Sequence, residues 1–105
     1  LSLRRQRQMC IRDRAITDQD WSENIERLAA LDHPVRGEIL RRLLAAPATA
    51  AELVDEDIVS STGTAYHHLS ALTSAGWTTK TSGEYSIRPA RVIPLLAIIT
   101  ASEDH

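Results

Sequence analysis

The spacing of apolar residues changes abruptly at Gly76, and this change restricts the fold more than any other feature of the chain. Across residues 25–72, apolar side chains recur every three or four positions, as they do on one face of an α-helix. Two short β-prone runs follow at 77–80 and 84–87, separated by a turn sequence that contains glycine. Pro89 then opens a last apolar segment. The chain is therefore predicted to form several helices, one β-hairpin and a final helix.

Capping residues divide the helical part into four segments. The sequence Asp32-His33-Pro34 ends the first segment and starts the second, because proline is tolerated at the first helical position. A capping box, Thr49-Ala50-Ala51-Glu52, opens a short third helix, and Ser60 or Ser61 can cap the fourth. A tight turn joins the third and fourth helices. The order αααα-ββ-α describes a mainly α fold with a small β-hairpin, a winged helix-turn-helix.

The first fourteen residues differ from the rest of the chain. They contain five arginines, and the stretch 9–13 is the translation of ATG TGT ATA AGA GAC, which resembles an adapter used in sequencing libraries. We expect residues 1–14 to be a non-native leader and residues 15–105 to be one winged helix-turn-helix domain that ends in a dimerisation helix. The alternative is a genuine basic arm, of the kind that nucleic-acid-binding proteins often carry.

Composition sets limits on the function. Residues 15–105 contain seven basic and thirteen acidic side chains, a formal net charge of −6. This charge opposes strong non-specific DNA binding, although it permits a locally positive face. The single cysteine, Cys10, excludes an intramolecular disulfide framework and any multi-cysteine metal site. The longest apolar stretch, 92–99, is too short to cross a bilayer, so we expect a cytoplasmic protein without membrane contact.

Several segments, in this order, resemble the ArsR-type transcriptional regulators. Leu31-Asp32-His33-Pro34-Val35-Arg36 looks like the opening of that family's domain, and Thr49-Ala50-Ala51-Glu52-Leu53 resembles the helix before its turn. Residues 61–69, followed by 75–77, are similar to its recognition helix and to the exit into its wing. The similarity runs from about residue 29 to residue 99. It implies a dimeric DNA-binding regulator, usually a repressor that an inducer releases from DNA.

Helical geometry selects the candidate DNA contacts. If Ala65, Leu69 and Leu72 face the core, the opposite side of the fourth helix carries hydroxyl and ring groups, which can bond to base edges or phosphates. The candidate contacts are Ser61, Thr62, Gly63, Thr64, Tyr66, His67 and Ser70, with Lys80 on the wing. His68 is expected to pack at the base of this helix instead.

Two departures from the ArsR pattern predict modest DNA affinity. The recognition helices of that family often carry Arg or Gln where this chain has Thr62 and His67, so an arginine that reads guanine is missing. The acidic run 55–57 lies near the turn and would repel phosphate. A contact through His67 would depend on its protonation.

The last helix predicts a dimer. Its apolar residues cover most of its circumference, so it must be buried on more than one side. In a chain this short, we expect a second copy to cover it, giving a two-fold homodimer that binds two half-sites of a pseudo-palindromic double-stranded DNA. The predicted interface residues are Ile25, Leu28, Val92, Leu95, Leu96 and Ile99.

No pattern in the chain predicts an enzyme. Phosphate-binding glycine loops, zinc-protease helices and nucleophile elbows are missing, so we expect neither a catalytic residue nor a cofactor. His67 and His68 point about 100° apart on a helix and cannot chelate as a pair, so we expect no metal site. The alternative function is an acidic winged-helix module for protein–protein contact, which the net charge favours.

Overall fold

The computed structural model of the protein describes residues 15–104. The expectations for residues 1–14 and for His105 lie outside this range. Within it the predicted order of four helices, a hairpin and a final helix is confirmed. The elements are α1 Ser22–Ala29, α2 Pro34–Ala45, α3 Ala50–Asp55, α4 Thr62–Ser74, β1 Thr78–Thr81, β2 Glu84–Ile87 and α5 Pro89–Ala101.

Three of the helices begin at a side chain that caps their free backbone amides. The cap is His33 for α2, Thr49 for α3 and Ser61 for α4, each accepting a backbone N–H at 3.1, 3.1 and 3.2 Å respectively. The capping box of α3 is formed only in part. The Glu52 carboxylate accepts the Thr49 hydroxyl at 3.2 Å and not the Thr49 backbone N–H.

The two helices of the turn end in the same way. Asp57 follows α3 with φ 58° and Gly76 follows α4 with φ 85°, both in the left-handed region. The next residue after each donates its N–H to the carbonyl five positions earlier, at 3.0 Å in both cases. This is the Schellman arrangement, in which glycine is the usual left-handed residue. Gly76 is thus the usual residue for this role, whereas Asp57 is not.

The hairpin has one backbone neighbour that the sequence did not predict. Strands β1 and β2 pair antiparallel through a Ser82-Gly83 turn with φ of 51° and 83°, as a tight hairpin of right-handed twist requires. In addition, Ala48 and Tyr85 exchange backbone hydrogen bonds of 3.0 and 2.8 Å. The segment before α3 thus adds a one-residue third strand, which fixes the hairpin against the helices.

The core is aliphatic apart from one tryptophan and one tyrosine. Trp77 is fully buried, and its Nε1–H donates to the carbonyl of Arg27 at 2.8 Å, which joins α1 to the start of the hairpin. The other buried apolar side chains come mainly from the helices after α1 and from β2, chiefly Ile39, Leu40, Leu43, Leu53, Leu69, Leu72, Tyr85, Ile87 and Leu95.

Leu95 was predicted to lie in the dimer interface, but the structure buries it within its own chain. It is only 2% exposed and packs in the core of its own chain, so it has almost no surface to offer a second copy. The reason is that α5 turns this one position of its apolar circumference inward. Val92 is partly buried in the same way.

Helices α1 and α5 both leave apolar side chains exposed. On α1, the exposed apolar side chains include Ile25 and Leu28, and the helix buries none of its residues. On α5, Ile93 is 72% exposed, and Leu96 and Ile99 are also exposed. None of the helices in residues 15–104 combines the length and the apolarity that crossing a bilayer requires.

Candidate nucleic-acid interface

Helix α4 presents two chemically different sides. Ala65, Leu69 and Leu72 have no solvent exposure, as their spacing predicted. The candidate contacts Thr62, Gly63, Tyr66, His67 and Ser70 are all exposed. We call this exposed side the polar face of α4. It carries hydroxyl, phenol and imidazole groups and no lysine or arginine.

The remaining two candidates on this segment serve the start of the helix. Ser61 Oγ accepts the Thr64 backbone N–H and lies 3.0 Å from Thr64 Oγ1. Thr64 is also half-buried. Both hydroxyl groups are thus engaged with each other, which leaves them less free for an external partner than Thr62 or Ser70.

Lys80 on β1 lies beside the polar face of α4. Its Nζ is 5.9 Å from the centre of the Tyr66 ring and 5.4 Å from that of Tyr85, within the range of cation–π attraction. The hairpin is fixed in this position by a hydrogen bond of 2.9 Å between the hydroxyls of Thr73 and Thr78. The structure thus brings together the sequence-predicted residues of helix and hairpin.

The acidic run between α3 and α4 is partly neutralised. Arg42 on α2 forms a 2.7 Å ion pair with Glu56 and a 3.6 Å one with Glu52. The hydrogen bond to Glu56 raises the pKa of Arg42. Asp55 and Asp57 are exposed and form no ion pair with the described residues. Two carboxylates, not three, therefore stand unpaired at this turn.

Arg36 is the residue of this region that the sequence did not indicate. Its Nε donates to His68 Nδ1 at 3.1 Å, and its Nη1 donates to the carbonyl of Ala30 at 3.2 Å. His68 packs at the base of α4, with its ring centre 4.5 Å from that of His33. Burial, followed by the nearby His33, Arg36 and His67, lowers the pKa of His68 from its ordinary value of 6.5.

The possible metal ligands of the described residues do not form a cluster. The rings of His67 and His68 lie 5.1 Å apart at their centres and are inclined by 62°. Across residues 15–104, no three His, Cys, Asp or Glu side chains come together in a way that could hold a metal ion.

Comparison with known proteins agrees with this architecture. Residues 31–76 match the family model of a helix-turn-helix domain. This range contains α2, α3 and α4. Together with the hairpin, these helices have the winged helix-turn-helix fold. In it, α3 and α4 form the helix-turn-helix, α4 occupies the place of the recognition helix, and the β1–β2 hairpin is the wing.

A solved structure shares the fold. The chain is similar to the crystal structure of M. tuberculosis Rv0081, with a TM-score of 0.62 and 26% sequence identity. The match covers 74% of this chain and 82% of that one. No curated protein sequence matches the chain. A winged helix-turn-helix domain supports double-stranded DNA as a partner, since this architecture places its second helix in the major groove.

Proposed function

We propose that the protein is a transcription regulator of the ArsR type, which binds a pseudo-palindromic DNA site as a homodimer and represses transcription. The observation that carries this proposal is the polar face of α4, which stays exposed beside Lys80 of the wing while the opposite side of the helix is fully buried. A cytoplasmic location and release by an inducer of unknown chemistry belong to the same proposal.

Recognition of the DNA would depend on hydroxyl and imidazole groups. Tyr66 and His67 are long enough to reach phosphates, and Thr62 and Ser70 can bond to either base edges or phosphates. An arginine for guanine is not available on this face. We therefore expect specificity to come from several weak polar contacts and from the shape of the DNA.

Close approach of the helix to DNA would depend on Gly63. A side-chain carbon added at this position would meet only Ser61 Oγ, at 3.9 Å, so the fold itself has room for alanine. The space in front of Gly63 is outside the domain, where the DNA backbone or a base edge would lie. Glycine there serves a partner and not the packing of the chain.

This argument gives a direct test. Gly63→Ala is expected to fold at least as stably as the parent protein, because alanine favours helix by roughly 1 kcal/mol over glycine, and to lose DNA affinity. Gly37→Ala on α2 is the matched control, because a carbon added there meets nothing within 4 Å and Gly37 lies on a different helix from the polar face. Equal affinity of both variants for a selected DNA site would count against the proposed docking.

The homodimer is supported by the apolar surfaces. Ile25 and Leu28 on α1, and Leu96 and Ile99 on α5, remain exposed in the single chain, as their proposed place in an interface requires. Two recognition helices related by a two-fold axis would reach half-sites about 34–36 Å apart. We propose that the interface uses these four residues, with Val92 at its edge and Leu95 beneath it.

A second function is favoured by one observation. The net charge of −6 over residues 15–105, with Asp55 and Asp57 unpaired at the turn, suits an acidic module that contacts another protein. Sequence-specific DNA binding that weakens as salt rises would exclude this alternative, because each phosphate contact made by a basic side chain releases counterions from the DNA.

A further inference from the structure

We propose that Arg36 and His68 form a positioning pair that holds the recognition helix against the other helices only while His68 is neutral, so that operator binding weakens on acidification. This inference rests on the DNA-binding function proposed above. Its elements are a hydrogen bond, a buried ring and the contacts of one guanidinium group.

One guanidinium group joins three helices. Arg36 lies on α2, donates from Nε to His68 on α4 at 3.1 Å, and donates from Nη1 to the carbonyl of Ala30 at the end of α1, at 3.2 Å. His68 is 6% exposed, and its ring contacts that of His33 at the start of α2. The orientation of α4 relative to α1 and α2 therefore depends on this cluster.

The bond fixes the protonation state of His68. Arginine has only donor groups and stays charged, so Nδ1 of His68 must offer a lone pair and its proton must lie on Nε2. Protonation would turn Nδ1 into a donor and set an imidazolium against a guanidinium. The hydrogen bond of 3.1 Å would then be replaced by repulsion between two cations, the Arg36 guanidinium and the His68 imidazolium, in a partly buried site.

Neighbouring groups offer the imidazolium no compensation. The titratable or charged groups that face the ring are His33 and Arg36 from the α2 side and His67 on α4 itself. Glu23 and Glu26 of α1 line the groove that Arg36 borders, yet neither bonds to Arg36 or to His68. Acidification therefore adds charge only to a cluster that is already positive.

The position of the pair explains why the effect would reach DNA. His68 directly follows His67, which is exposed on the polar face, and it lies one turn from Thr64 and Leu72. If α4 lost its bond to Arg36, its exposed side chains would shift relative to the wing. Operator binding requires the polar face of α4 and the wing to contact DNA at the same time. Affinity would therefore decrease when the Arg36–His68 bond is lost.

The neighbouring His67 is the control for His68. It directly precedes His68 on α4, but it is exposed and forms no bond to Arg36. Protonation of His68 would break the positioning pair, so affinity for the operator would decrease at low pH. Single variants of the two histidines therefore separate the positioning pair from the exposed face.

The experiment measures affinity of the full chain for its selected operator between about pH 5.5 and 7.5 at constant ionic strength. His68→Asn places a non-titrating oxygen where Nδ1 accepts, and His67→Asn is the matched control. We expect the parent and His67→Asn to lose affinity below about pH 6.5, by up to tenfold per pH unit for each His68 in the dimer. His68→Asn should bind nearly independently of pH. Equal losses in the parent and His68→Asn would overturn the proposal.

A measurement without DNA separates this inference from the proposed function. The protection of the Arg36 Nε–H against hydrogen exchange is measured by NMR in the free protein, as its exchange rate relative to that of an unprotected arginine at the same pH. We expect this protection to be large at neutral pH and to decrease on acidification as His68 titrates. His68→Asn should keep the protection at low pH, and His68→Leu should lose it throughout. Protection that is the same in the parent and in His68→Leu would overturn the pair, even if an operator is found. Failure to select DNA, with this protection present, would instead count against the function alone.

Discussion

Lys80 Nζ lies 5.9 Å from the centre of the Tyr66 ring, so the wing and the recognition helix meet where a cation faces an aromatic side chain. Tyr85, the cross-strand partner of Lys80, contributes the second ring at 5.4 Å. The ammonium group is thereby held beside the polar face of α4. Lys80 is the only lysine or arginine among the sequence-predicted contacts. It is therefore expected to make the main ionic contact with phosphate.

Replacing Lys80 is therefore expected to affect binding far more than folding. Lys80→Gln should weaken binding uniformly across DNA sequences and reduce the slope of log affinity against log salt by about 1. Its free energy of unfolding should change by no more than about 1 kcal/mol, the value of an exposed cation–π contact. Arg41→Gln is the control, because Arg41 is an exposed cation of α2 with no ion pair to the described residues. An unchanged salt slope in Lys80→Gln would contradict the role of the wing.

Asp57 combines an unfavourable backbone with an unfavourable charge, and two substitutions separate them. Asp57→Gly removes the strain of a left-handed φ of 58° on a residue with a side chain. Glycine also increases the conformational entropy of the unfolded chain, which offsets part of this gain. We therefore expect the free energy of unfolding to increase by zero to about 1 kcal/mol. Asp57→Asn tolerates the same φ and removes only the charge. Both variants should bind DNA several-fold more tightly at low salt. Urea unfolding and a salt titration of binding measure the two effects. Unchanged or weaker binding by both variants would show that the Asp57 carboxylate does not repel phosphate.

The last helix offers a pair of neighbouring leucines with different expected roles. Leu96→Glu should convert the proposed dimer into a monomer, since Leu96 is exposed on the single chain. Leu95→Ala should reduce the free energy of unfolding by about 2–5 kcal/mol, because it empties a core position. Light scattering over a concentration series and urea unfolding distinguish them. Glu38→Lys, an exposed charge change on α2, is the control for both. A dimer that persists in Leu96→Glu would place the interface elsewhere.

The pKa of His68 also predicts how the stability of the free protein depends on pH. Because burial lowers this pKa below 6.5 in the folded state, the unfolded chain binds the proton more readily. The free energy of unfolding should thus be independent of this group above about pH 6.5 and decrease below it, down to the folded pKa. Thermal or urea unfolding along a pH series measures the decrease. It should be absent in His68→Asn and present in His67→Asn, and a decrease of equal size in His68→Asn would assign it to another group.

Local patterns predicted much of the fold. The spacing of Ala65, Leu69 and Leu72 identified the buried side of α4, and its complement identified the exposed residues, because a helix of 3.6 residues per turn fixes both at once. The hairpin followed from the turn sequence that contains Gly83, since glycine readily adopts the left-handed φ that the turn requires. These inferences depend on neighbours along the chain, and the structure confirms them.

Features that depend on distant residues were not accessible in this way. Arg36 and His68 are 32 positions apart, and nothing in the sequence around either indicates the other. The pairing of Ala48 with Tyr85 is likewise a property of the assembled fold. The spacing of apolar residues could not predict which side of α5 faces the core, because this helix is apolar around most of its circumference. It therefore could not show that Leu95 is buried and Leu96 exposed.

The most direct test of the proposed function is the selection of binding sites from a randomised DNA pool by the protein, with and without residues 1–14, over a series of salt concentrations. We predict enrichment of an inverted repeat whose half-sites lie one helical turn apart, with affinity that falls as salt rises. The shorter protein should select the same repeat, since the contacts proposed for it all lie between Ser61 and Lys80. If neither form enriches any sequence while the protein remains folded, the DNA-binding function is contradicted and the acidic interaction module takes its place.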